Sequence, residues 1–228
     1  MKHAYNFFWL ACVLGLLALA SSVRATEQDL QPVDGIRFTM DAFDQHRVVA
    51  IADLAGCDQL HQFIRKLVAA PEFRSRVNTI VVGFGNPIFQ SVMDRYVMDG
   101  ELVPRYVLRH VWDDANESPD LTWDSPVYEE FFDTVRSINL ITSKDSKLRV
   151  VLGGSPIVWR KVENRDQWMA FQGEPRAQAL AAKVNDALAH NQRVLVIDSP
   201  GQVLNADGAV NARSLVEKTY SGQFVTIL

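Results

Sequence analysis

Two aspartates, Asp53 and Asp198, each follow a short apolar run at the point where the chain turns away from it. Residues 48–52 end on Asp53-Leu54-Ala55-Gly56, and residues 194–197 end on Asp198-Ser199-Pro200-Gly201. Two further runs, 79–82 and 148–152, end on Gly83-Phe84-Gly85-Asn86 and Gly153-Gly154-Ser155-Pro156. A carboxylate at such a corner can act as a general acid or base when a second ionisable group comes within hydrogen-bond reach. Asp53 and Asp198 are the only acids at the four corners, which hold no His, Glu, Cys or Lys. His61 lies just beyond the first corner, while Tyr128 and Glu129 sit in an aromatic and acidic cluster at 123–132. Asp53, His61 and Glu129, with Tyr128, are therefore the candidates for a relocated acid–base site.

Other chemistries find weaker signals. None of His46, His61, His110 and His190 is paired at the spacing of a zinc-binding helix, and no Cys or His pair has zinc-finger spacing. A metal site would need Asp53, Asp198 and His61 to converge from distant positions, and none is assigned. Cys57 precedes a predicted helix, whose dipole would favour its thiolate. Free cysteines more commonly fill small apolar gaps. Ser155 and Ser199 could serve as nucleophiles, yet no base is placeable beside either. The glycine corners at 83–86 and 152–155 only loosely resemble phosphate-cradling loops. Asp94, Arg95 and Arg136 could form buried ion pairs near a crevice.

Four short apolar runs separated by helical stretches read as parallel strands of an open α/β sheet. In such sheets ligands sit outside the carboxyl ends of the strands, at these corners. The expected fold is a mainly parallel sheet of about five strands with flanking helices and a helical insertion between strands two and three. Apolar residues at helical spacing place helices over 58–70, after Pro87, and over 104–111, 126–141 and 212–219. A stretch over 165–189 is expected to break at Gly173-Glu174-Pro175. A short strand is expected at 36–40, a loop at 202–208, and a closing strand at 224–228.

The chain has 228 residues, 48% hydrophobic and 22% charged, which suits one globular domain with ample core. A formal net charge of −4 without a basic stripe argues against a nucleic-acid partner. Lys2 and His3 precede an apolar run, and Val23-Arg24-Ala25 offers small residues for cleavage, as in a signal peptide. The run is shorter than the roughly 20 residues of a comfortable membrane span. Residues 1–25 are thus expected to be a signal peptide and 26–228 a single α/β domain, periplasmic or secreted, with an N-terminal membrane anchor as the alternative. Loss of Lys2 and Arg24 would take the net charge from −4 to −6. Asn116-Glu117-Ser118 is a formal glycosylation sequon, meaningful only in a eukaryotic secretory host.

Several strings carry a resemblance: 77–86 with its Phe-Gly-Asn, Met93-Asp94-Arg95-Tyr96-Val97, Val103-Pro104, Val111-Trp112, 123–132 and Leu152-Gly153. Together they resemble a bacterial branch of the haem-binding-uptake/Tiki-like superfamily, which includes erythromycin esterase-like proteins and the haem-binding ChaN lipoproteins. That resemblance implies a strand-end site in which Asn86, Arg95, Trp123, Asp124 and Tyr128 bind a small-molecule ligand. It also brings haem as a possible cofactor, with Tyr128 or His61 as axial ligand. The family's corner motifs are degenerate here. Ala52-Asp53-Leu54-Ala55 replaces a Gly-Glu-x-His, and Gly83 replaces an acid. Gly153-Gly154 replaces a Gly-Asp, and Ser199-Pro200-Gly201-Gln202 replaces a Gly-Asp-Gly-His. Three expectations follow: an exported non-catalytic scaffold or binding protein, a hydrolase with a relocated site, and a haem or porphyrin carrier.

Overall fold

Val- and Ile-rich runs without polar alternation must be covered on both faces, which an all-parallel sheet achieves by returning each crossover across one face. A computed structural model describes residues 33–113, 125–170, 174–205, 208 and 210–228. Within it, Asp34–Leu228 form one compact unit. Five strands, β1 (Val48–Ala52), β2 (Thr79–Val82), β3 (Arg149–Leu152), β4 (Val194–Asp198) and β5 (Phe224–Ile227), build one sheet in the order β3-β2-β4-β1-β5. Every pairing is parallel.

Eleven α-helices are described: α1 (Gly35–Gln45), α2 (Asp58–Ala69), α3 (Pro71–Arg74), α4 (Gln90–Val97), α5 (Arg105–Leu108), α6 (His110–Asp113), α7 (Pro126–Leu140), α8 (Arg165–Met169), α9 (Glu174–Ala189), α10 (Pro200–Val203) and α11 (Ala212–Thr219). Helices α4 to α7 are the expected insertion between β2 and β3. One face of the sheet, through Val49, Ile51, Ile80, Val82, Leu195 and Ile197, shares a core with α1, α2, α4 and α7. The other, through Val48, Ala50, Val81, Val194 and Val196, packs on α9 and α11. Among the described residues, no helix is long and apolar enough to cross a membrane. The expected signal peptide lies outside the described residues.

Some expected elements differ. Residues 36–40 are the middle of α1, not a strand. Asp34 Oδ1 accepts the N–H groups of Ile36 (2.9 Å) and Arg37 (3.2 Å), capping a helix whose Thr39, Met40 and Phe43 are buried. The helix expected over 104–111 is two four-residue helices, α5 and α6. Pro71 opens α3 as well as closing α2, and residues 200–203 form α10 where a loop was expected to begin. Helices α8 and α9 are separate, as Gly173-Glu174-Pro175 implied, with Pro175 in the first turn of α9.

At the β3 edge, Gln90 takes the place of a sixth strand. Its amide donates to Val150 O (2.9 Å) and accepts from Leu152 N (2.8 Å), satisfying backbone groups that an edge strand would otherwise expose. Gln90→Ala should lower stability by about 1–2 kcal/mol in a urea titration, the worth of two such bonds. It should also raise the rate of aggregation followed by light scattering.

Candidate functional site

The connection from β1 to β2 leaves over one face of the sheet and that from β4 to β5 over the other, although β1 and β4 are neighbours. A crevice at the carboxyl ends of these two strands is the topological switch point of the fold. Asp53 and Asp198 flank it. Ala52 is in register with Asp198, and Asp53 N donates to Asp198 O at 2.8 Å. Side chains alternate along a strand, so the two carboxylates point to opposite faces.

Asp53 turns toward α2 and α7. Its Oδ1 is 3.0 Å from His61 Nε2, and neither side chain is exposed to solvent. Tyr128, in the first turn of α7, donates its hydroxyl to Asp53 Oδ2 at 3.3 Å, and the Tyr128 hydroxyl oxygen accepts the Gly56 N–H at 3.0 Å. Gly56 has φ +75°, a left-handed conformation that glycine adopts without strain. Phe84 closes the group, its ring centroid 4.5 Å from that of Tyr128, and His61 meets Tyr128 edge-on at 5.0 Å. Burial, and then the charge of Asp53, push the Tyr128 phenol far above its ordinary pKa, so it remains a proton donor. With Nε2–H directed at the carboxylate, His61 Nδ1 is a buried nitrogen without a hydrogen-bond partner.

Asp198 turns toward α9, where Arg176 pairs with its Oδ1, and both side chains are buried. Ser199 N donates to the same oxygen at 2.6 Å, and Arg176 Nη1 donates to Ser199 Oγ at 3.2 Å. Burial pushes the Asp198 carboxyl up, while Arg176 and the Ser199 N–H pull it back. The carboxylate lies over Gly83, where an added Cβ would stand 2.2 Å from its carbon. Position 83 therefore has no room for a side chain, because Asp198 occupies that space.

The switch point therefore unites Asp53, His61 and Tyr128 and separates them from Asp198. No tripod of Asp53, Asp198 and His61 forms, because strand alternation sends Asp198 to the other face. Among the described residues no three His, Cys, Asp or Glu side chains gather as a metal site. Glu129 does not join Tyr128. It is turned about 100° further round the helix, where Arg105 binds it bidentately, with both contacts at 2.6 Å.

Other expected site residues serve the scaffold. Asn86 is buried, donating to Ile157 O (2.7 Å) and accepting from Ile88 N (3.2 Å), and so braces two segments rather than facing a ligand. Arg95 pairs with Glu101 at the surface, Asp94 with Arg149 at the opposite end of the sheet, and Arg136 with Gly100 O over the Tyr96 ring. These are not crevice ion pairs. Trp123, Asp124 and the 116–118 sequon lie outside the described residues. Cys57 Sγ contacts Gln59 Oε1 at 3.6 Å, and His61 is already directed at Asp53, so no Cys–His pair exists. Ser199 faces an arginine, which cannot accept its proton, and Ser155 is fully buried. The glycine corners, which only loosely resemble phosphate-cradling loops, spend four of their backbone donors within the fold. The N–H groups of Gly83, Asn86, Gly153 and Gly154 donate to the carbonyls of Ile197, Val111, Val82 and Gly85.

Sequence reading missed Arg176 and Phe84. Arg176 had a legible signal, since it sits four residues before Leu180 on the apolar stripe of its helix. A charge on a buried stripe demands a partner.

No family model matches the chain, and no curated protein matches it. Among solved structures, that of the type III effector HopBA1 is similar at 13% identity and a TM-score of 0.48, over 81% of this chain and 83% of that one.

Two outcomes follow from the geometry. Gly83→Ala should cost about 3 kcal/mol in chemical denaturation, because the methyl group must displace a buried, ion-paired carboxylate. Hydrogen bonds from Arg105 hold Glu129 below its ordinary pKa of 4.5. Its stabilisation is then complete above pH 4.5 and lost as pH falls through the depressed folded-state value. Glu129→Gln should lower stability modestly at pH 7, by less than about 1 kcal/mol because Arg105 is exposed. The difference from wild type should close in acid.

Proposed function

We propose that the chain is an exported, non-catalytic relative of the haem-binding-uptake/Tiki-like proteins, acting as a binding or scaffold domain. One observation carries this reading: both acids at the switch point are buried and bonded within the protein. Asp53 is held by His61 and Tyr128, and Asp198 by Arg176 and Ser199 N–H. General acid–base catalysis needs such groups within reach of a substrate. At the glycine corners, the Gly83, Asn86, Gly153 and Gly154 N–H groups donate within the fold.

The convergence of Asp53, His61 and Tyr128 favours a second reading, a hydrolase in which Asp53 orients His61 and the unpartnered Nδ1 acts as base. Glu129 has no part in it. A haem carrier ranks behind both. A tyrosinate axial ligand needs the Tyr128 phenol to lose its proton, which burial and Asp53 oppose, and His61 presents Nε2 to Asp53.

Wild type, Asp53→Asn and His61→Gln should be assayed against a panel of p-nitrophenyl esters, with thermal denaturation in parallel. The scaffold reading expects no turnover above buffer in any of them. It also expects a loss of about 3 kcal/mol or more in each variant, the cost of breaking a buried polar pair. Wild-type turnover abolished by either substitution, with Tm nearly unchanged, would establish the hydrolase instead. Haemin titration of the wild type should leave the Soret band without a saturable shift.

A further inference from the structure

At the end of the sheet opposite the switch point, a concavity of about 410 Å3 opens beside the amino ends of β2 and β4. Its lining brings together Arg74 at the end of α3, Arg76, His190 and Arg193, with the side-chain amides of Asn78 and Gln192 between them. Asp145 is the one carboxylate among these lining residues. Such a concentration of donors is unexpected in a chain of net charge −4.

Basic residues often gather where helices end, because exposed carbonyls there attract them. That account does not cover this group. At the end of α9, Leu188 O already accepts from Arg47 Nη2 (2.7 Å) and Asn191 N (3.0 Å), and Ala187 O accepts from Gln192 N (3.0 Å). At the end of α7, Ile138 O accepts from the Thr142 hydroxyl (2.7 Å) and Ile141 N (3.2 Å). Arg76 is matched by Asp44 at 2.6 Å. Among the described residues Arg74 reaches only Thr142 Oγ1, at 3.5 Å, and its Nε is buried without a partner. Arg193 is exposed and makes no ion pair among the described residues. Two guanidinium groups without carboxylates therefore line one concavity.

A planar guanidinium matches the oxygens of a phosphate group bidentately, and two of them can neutralise a dianion. We propose that this concavity is a phosphate-binding site, with Arg74 and Arg193 as its anchors and the Asn78 and Gln192 amides as further donors. The phosphate can belong to a soluble phosphomonoester or to an anionic lipid headgroup. The site lies at the far end of the strands from Asp53 and is independent of the reading given for the switch point.

The test is calorimetric titration of the full chain with inorganic phosphate and glucose 6-phosphate. Co-sedimentation with phosphatidylcholine vesicles, with and without phosphatidylglycerol, runs beside it. Saturable binding to either phosphate source is expected, weakened at least about tenfold by Arg193→Glu or Arg74→Ala, since bonds to a charged group are each worth over 1 kcal/mol. Lys218→Ala, an exposed charge on α11, should leave binding unchanged. Binding to soluble phosphates identifies a phosphomonoester site. Binding only to phosphatidylglycerol vesicles, with the same dependence on Arg193, identifies a headgroup site. Arg193 is exposed, so Arg193→Glu keeps the fold, which circular dichroism checks. No binding to any probe, or binding that Arg193→Glu leaves intact, overturns the assignment.

Discussion

Strand alternation, fixed by the register between β1 and β4, is the constraint on which the rest of the structure depends. Ala52 lies opposite Asp198, so Asp53 begins one residue later and faces the other way. Each acid then enters a different helical layer. One layer offers α2 and α7 and supplies His61 and Tyr128. The other offers α9 and supplies Arg176. A one-residue shift of register would reverse these surroundings and bury each carboxylate without its partner. The polar contacts at the strand ends thus specify the same register as the apolar core.

The same geometry explains how tightly the described strand ends pack at the carboxyl edge of the sheet. Its glycines permit close approach, with Gly83 against the Asp198 carboxylate and Gly154 against the carbonyls of Gly83 and Gly85. Backbone N–H groups that a nucleotide-binding fold directs at its ligand instead hold neighbouring strand ends together. The amino edge carries polar concavities lined by arginines, lysines and amides.

Parts of this were readable in the chain because they depend on local chemistry. Uninterrupted Val/Ile runs specify strands buried on both faces, and the helical spacing of Leu60, Ile64, Leu67 and Val68 specifies α2. The acids at 53 and 198 mark strand ends because an acid that closes a buried apolar run must lie at its end. The strand expected at 36–40 failed because five residues cannot distinguish a period of two from one of 3.6. The Asp34 cap and the face running through Met40 to Phe43 decided for a helix. Asn86, Arg95 and Glu129 look chemically capable in isolation, but each finds a structural partner in the fold: Ile157 O, Glu101 and Arg105.

The sequence by itself determined the five sheet strands, most of the longer helices, the parallel class and the two carboxylates at the strand ends, since burial and periodicity act within short segments. Tertiary structure alone decided that His61 and Tyr128 meet Asp53 while Arg176 takes Asp198. It alone brought Arg74 and Arg193 to the lining of one concavity. Those pairings span from 8 to 119 positions of chain. They depend on strand order, register and the face from which each helix returns, none of which is written in local composition.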